Sequence, residues 1–296
     1  MRGRIAVSGA IGLISGTFCW FLMKHLHQDA ADFRWALHLA ERLLSRQNPY
    51  DTPLEQYPLT AAFFALPFVR LPPEVAAGFF WGIGSFLLAL GLTRQTYVRL
   101  LIFLAYPYWA GILAVQWSPI IAASAFCPLL LPLTMTKPQI GLPIFLTHLS
   151  RRGVAACILL SALSLALMPS WPTRWLHQLS NYQHFIPLIV LPVGPLLLLA
   201  VFRYCNRDAL LLLLSALMPQ RWFFDSFILW LIPKSRREII WTVFFSWGAG
   251  IWRWYHFPRS FDEVGRWTVI FLYLPMLAVV LFRPRESPTL QPETAN

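Results

Sequence analysis

Apolar runs follow one another along almost the whole chain, a pattern that the single core of a water-soluble domain cannot absorb. After an apolar segment within residues 1–24, such runs cover about 58–70, 75–93, 99–115, 119–135 and 139–149, then 154–168, 185–202, 209–218, 222–233, 239–255 and 267–282. A helix needs roughly 20 apolar residues to cross the hydrocarbon of a bilayer, and several of these runs are shorter, so some must be tilted, broken or re-entrant. The expectation is an all-α, polytopic membrane bundle of about 10–12 transmembrane helices. Composition agrees, because 57% of the residues are hydrophobic and only 12% are charged, against roughly a quarter charged in an ordinary soluble domain. Residues 1–283 are expected to form one domain, and the polar, proline-rich 284–296 a disordered cytoplasmic tail.

The net charge of +11 raises nucleic acid as a partner. The bases, however, sit singly or in short clusters between apolar runs, which fits positive-inside loops and lipid phosphates instead. Cys19, Cys127, Cys157 and Cys205 lie in or beside apolar runs with no CxxC spacing, so free thiols are expected and no metal pattern is present. Arg2 and Arg4 precede the first apolar run as in a signal peptide, but Thr17-Phe18-Cys19-Trp20 is a poor small-residue cleavage site. The segment therefore reads as a retained span with its amino terminus in the cytoplasm. Arg70, the Arg151-Arg152 pair and the Lys234/Arg236/Arg237 cluster then fall in short inner loops, while 25–57, Lys137, 169–184, 219–221 and 256–266 gather on the outer face.

The one long polar stretch is residues 25–57. Between Ala30 and Arg46, Phe33, Ala36, Leu37, Ala40, Leu43 and Leu44 recur at helical spacing, with Arg34, His38, Glu41, Arg42 and Ser45 opposite them. This predicts an amphipathic helix stopped by Asn48-Pro49 and lying on the membrane surface with its apolar face in lipid. Asp29 and Asp32 are candidate general bases, able to take the proton of an attacking hydroxyl. The same D-A-A-D spacing also fits a helix cap followed by an acid at the third position, and spacing alone leaves both readings open. His25, His27 and Asp29 could hold a metal, or form the polar collar of a span end.

Lys137, alone between two apolar runs, must meet phosphate, a carboxylate or water, unless it snorkels to the interface. Gln116-Trp117-Ser118 is a polar break, and Pro219–Asp225 joins an amide, a cation, aromatics and an acid at a span end.

Three stretches, DFRWALHLAERLLSRQNPYD, YPLTAAFFALPFVRLPPEVAAGFFW and QWSPIIAASAFCPLLLPLTMTKPQIGLPIF, together with the later MPQRWFFDSFILWLIP, resemble glycosyltransferase family 87 over about residues 25–240. That family comprises polyprenol-phosphate-mannose-dependent mannosyltransferases and their relatives. The resemblance implies a GT-C-like bundle whose first outer loop carries an amphipathic helix and the catalytic carboxylate, here matched to Asp32. It also implies a lipid-linked sugar donor.

The resulting expectation is an enzyme of the plasma (inner) membrane, acting on its extracytoplasmic side in the cell envelope. It would move a hexose, mannose by default, from a polyprenyl-phosphate donor to a hydroxyl of a glycolipid or glycan acceptor, with inversion. Asp32, or Asp29, would be the base. Lys137, Arg34 and Arg221 would meet the donor phosphate, and Tyr50, Asp51, Tyr57, Gln116 and Gln220 the substrates. The scheme requires neither metal nor cofactor, and nucleic acid has no part in it. A transporter or lipid-carrier flippase, or a non-catalytic membrane assembly subunit, is the alternative; such transporters usually place ionisable groups at mid-membrane or show repeated halves, and neither is visible here.

Overall fold

The first helix, α1 (Arg2–Leu26), spans about 37 Å at 1.5 Å per residue, and its two ends mark the two poles of the molecule. A computed structural model describes residues 1–51, 56–179 and 183–284, and every regular element among them is helical. The expected tail falls outside the described residues from 285 onward.

At the Leu26 pole lie α2 (Phe33–Leu44), α3 (Thr60–Ala65) and the start of α4 (Pro73–Leu92). Pro73 suits the first turn of α4, where its missing N–H is no loss. Helix α4 returns alongside α1 to the Arg2 pole, where Arg4 donates to the Leu90 carbonyl at 3.3 Å. The two backbones approach closely because glycines face each other: a Cβ on Gly16 would sit 2.8 Å from the Gly78 carbonyl oxygen, and one on Gly82 2.9 Å from that of Gly12.

The chain then runs back and forth between the poles. A 3-10 segment (Tyr97–Leu104) and α5 (Tyr106–Leu113) lead to the Leu26 pole, and α6 (Ser118–Ala123) leads away from it. A second 3-10 segment (Pro128–Met135) returns, and α7 (Pro138–Thr147) leaves again. Next come α8 (Arg151–Leu167), α9 (Trp171–Gln178), a 3-10 segment (Gly194–Arg203), α10 (Arg207–Leu217), a 3-10 segment (Phe223–Leu231), α11 (Arg236–Tyr255), α12 (Phe261–Thr268) and α13 (Leu274–Phe282). Side-chain caps fix several starts: Ser150, Asn206 and Ser260 each accept from a first-turn amide, and Ser235 with Glu238 forms a full capping box.

Among the described residues, three helices are long and apolar enough to cross a membrane: Arg2–Leu26, Pro73–Leu92 and the continuous Phe261–Phe282; α8 and α9 pass the same test together but are bent by 93°. Of the remaining apolar runs, α11 is 20 residues long but does not pass that test, and the others are shorter helices and 3-10 segments, two of them with an internal proline, Pro132 and Pro143. Large apolar side chains such as Leu13, Leu159, Phe202, Phe244 and Trp254 point outward, while Trp81, Trp117, Trp230 and Tyr273 are fully buried.

Two expectations about crossing are corrected. The run 58–70 does not pass between the poles: Thr60–Phe68 packs under α2, so Arg70 stays at the Leu26 pole. The run 119–135 is two passes, since Phe126 lies against Gly91 at one pole and the Met135 carbonyl accepts from Thr60 at the other. The apolar face of α2 is likewise covered by protein, with Phe33 stacked on Phe80 at 4.0 Å and edge-on to Phe68.

Candidate active site

Between α1 and α2 the chain turns sharply, holding His27, Asp29 and Ala31 in the left-handed region (φ 53°, 48° and 44°). Non-glycine residues adopt this conformation only when their surroundings enforce it. After this turn α2 begins at Phe33, the first residue of its apolar pattern, with Asp32 at the N-cap position. The Asp32 side chain makes no capping bond. Its backbone N–H instead donates to the Ala114 carbonyl at 3.1 Å, and its carboxylate turns into a cavity of about 660 Å³. Asp29 is not a helix cap either; it pairs with Arg34 in an exposed ion pair.

Three groups converge on one oxygen of Asp32. The Tyr57 hydroxyl donates to Oδ2 at 2.5 Å, the Gln116 amide donates to it at 2.7 Å, and the Lys137 ammonium stands 3.7 Å away. The other oxygen, Oδ1, meets no donor among the described residues. Gln116 is oriented by its second contact, since its Oε1 accepts from Lys137. It follows Val115, a β-branched residue at φ 47°, so unusual backbone flanks the carboxylate on both sides.

Lys137 is 7% exposed and does not snorkel. Beyond Asp32 it meets Asp225, whose Oδ1 lies 3.1 Å away and whose side chain is fully buried. Asp225 is completed by the Arg221 backbone N–H, which donates to its Oδ2 at 2.9 Å, and the ammonium also lies over the Phe224 ring. A buried ammonium is tolerable only with such partners, and two carboxylates around one lysine leave the cluster with a negative charge.

The cavity wall contains Asp32, Tyr57, Gln116, Lys137 and Arg221 from the expected set. Five others lie outside it. Asp29 and Arg34 face solvent together. Tyr50 is buried behind the wall, donating to the Tyr57 carbonyl at 3.1 Å, and Asp51 pairs with Arg174 at 3.1 Å on the surface. Gln220 joins Phe185 in an isolated bridge, with its buried side-chain amide unpartnered among the described residues. His25 stacks on Phe21.

Asp225 is absent from the expected set, although an acid inside the apolar Phe223–Leu231 run signals a buried partner. The aromatic wall formed by Trp35, Trp222, Phe224 and Phe261 carries no signal in a chain so rich in aromatics.

Among known proteins, no family model, no curated protein and no solved structure matches this chain.

Proposed function

We propose that the chain is a multi-pass protein of the plasma (inner) membrane that transfers a hexose, mannose by default, from a polyprenyl-phosphate donor to a hydroxyl of a glycolipid or glycan acceptor. The cavity pole faces the extracytoplasmic side, the Arg2 pole faces the cytoplasm, and the chain crosses about 10–12 times, using short and broken segments as well as full spans. Supporting the membrane part are the three long apolar helices, the outward-facing apolar side chains and the base clusters at the Arg2 pole.

The observation that carries the chemistry is Asp32: a carboxylate in a cavity wall, fixed through Oδ2 by Tyr57 and Gln116, with Oδ1 open. An acceptor hydroxyl donates to Oδ1 and gives up its proton as its oxygen attacks the anomeric carbon from the face opposite the lipid phosphate. The bond from that carbon to the phosphate oxygen breaks, its electron pair stays on the phosphate, and the configuration inverts. Arg221, in the same wall, meets the charge of the departing phosphate. Lys137 serves the two carboxylates and holds Asp32 in place, and Arg34 has no part because it lies outside the cavity. Aromatic faces and amides in the wall suit a sugar ring.

The test is purified protein in liposomes with polyprenyl-phosphate-mannose and a glycolipid acceptor. Release of polyprenyl phosphate with mannose on the acceptor is the expected result. Movement of intact donor across the bilayer without cleavage would make the protein a carrier and overturn the reading.

A further inference from the structure

The Arg2 pole is short of carboxylates. Among the described residues Asp208 and Glu238 are the two that sit there, and Arg283 engages both, pairing with Asp208 and lying 2.8 Å from Glu238 Oε2. Lys234 takes the same Asp208 oxygen at 2.9 Å. Arg99, Arg203 and Arg207 have no carboxylate at ion-pair distance among the described residues.

Two adjoining cavities open at this pole, of about 540 and 410 Å³, and Arg207 and Lys234 stand in the walls of both. The larger adds Arg203 and Arg283, the smaller Arg99, His148 and the Asp208 carboxylate that Lys234 and Arg283 already neutralise. Arg99 is 3% exposed. Its terminal nitrogens donate to the Gln95 side chain and to the carbonyls of Trp230 and Leu231, but its Nε is buried with no partner among the described residues. A buried guanidinium whose acceptors are all neutral is costly, and a dry anion beside it recovers that cost.

We infer that these adjoining cavities bind a phosphate-bearing anion, with Arg207 and Lys234 as donors in the shared wall, Arg203 in the larger cavity and Arg99 in the smaller. Phe202 and Tyr204, 76% and 67% exposed, line the larger cavity and offer apolar surface beside the cations. A glycerophospholipid can therefore seat its phosphate while its chains lie along the protein. A soluble phosphate compound would use the same donors. The lipid source rests on the membrane reading, whereas the phosphate chemistry does not.

Equilibrium binding to the purified full chain in detergent separates these cases, with short-chain phosphatidylglycerol, phosphatidylcholine and inorganic phosphate as probes. Phosphatidylglycerol should bind about tenfold or more tightly than phosphatidylcholine, and Arg207→Gln/Lys234→Gln should weaken it about tenfold, the loss of charge-assisted hydrogen bonds. Arg203→Gln alone should weaken it as well, which keeps the test valid if the double variant does not fold. Arg259→Gln/Arg266→Gln removes equal charge at the other pole and should change nothing. Phosphate binding that the Arg207/Lys234 variant loses, without preference for phosphatidylglycerol, supports the site and assigns it to a soluble ligand. Absence of binding by both anions, or equal binding by wild type and the Arg207/Lys234 variant, or equal loss in the Arg259/Arg266 control, overturns the inference.

Discussion

Replacing Lys137 by methionine should be among the most destabilising exposed-to-test changes in this molecule, because it strands Asp225. That carboxylate is fully buried, its ammonium partner 3.1 Å away is itself 7% exposed, and only the Arg221 amide would remain to satisfy it. Removing one partner of a buried pair costs about 3–5 kcal/mol, which corresponds to a Tm loss of about 6–15 °C for a chain of this size. The comparison is Lys234→Met, where the lysine is 54% exposed and Asp208 keeps Arg283; a surface pair of this kind contributes about 0–1 kcal/mol. Lys137→Met/Asp225→Leu removes both charges and should recover more than half of the lost stability while remaining inactive. Melting curves of the four proteins in one detergent decide the matter. Equal melting of Lys137→Met and Lys234→Met, or a double variant no better than the single, would refute the view of Lys137 as the partner of a buried acid.

Gly82→Leu forces a side chain against the Gly12 carbonyl and should cost about 1–3 kcal/mol, whereas Gly9→Ala meets nothing within 4 Å and should be neutral or slightly stabilising in melting curves. Tyr57→Phe removes a donor to Asp32 Oδ2 and should lower kcat about tenfold with KM little changed, measured as donor turnover. Arg34→Gln, in an exposed pair outside the cavity, should stay within a few-fold of wild-type turnover. In a cysteine-free background, Arg70→Cys and Thr173→Cys should react with an impermeant thiol reagent from one side of sealed vesicles and Arg94→Cys from the other; labelling of all three from one side would contradict the pole assignment.

The apolar face of α2 was legible from its spacing, but what covers it was not. Phe33 meets Phe68 and Phe80, and nothing in either stretch distinguishes a surface that packs on protein from one that lies in lipid. The run 58–70 reads as a crossing by composition alone, yet its Thr60–Phe68 part closes over α2 instead. Asp29 and Asp32 were inseparable in sequence because the turn that sorts them is built from left-handed His27, Asp29 and Ala31, without the glycine that usually announces such a turn. Lys137 was recognisable as a cation in need of a partner. That the partner is Asp225 depends on the Phe223–Leu231 segment passing beside α7, a contact between remote parts of the chain.

The central claim, that Asp32 is the base, is tested most directly by the turnover of polyprenyl-phosphate-mannose by Asp32→Asn and Asp29→Asn side by side. Asparagine keeps the size of the side chain and still accepts from Tyr57, but it cannot take a proton from a hydroxyl. Asp32→Asn should lose transfer by about 10² or more while melting close to wild type, and Asp29→Asn should stay within a few-fold. Full activity of Asp32→Asn, or loss of activity confined to Asp29→Asn, would contradict the account.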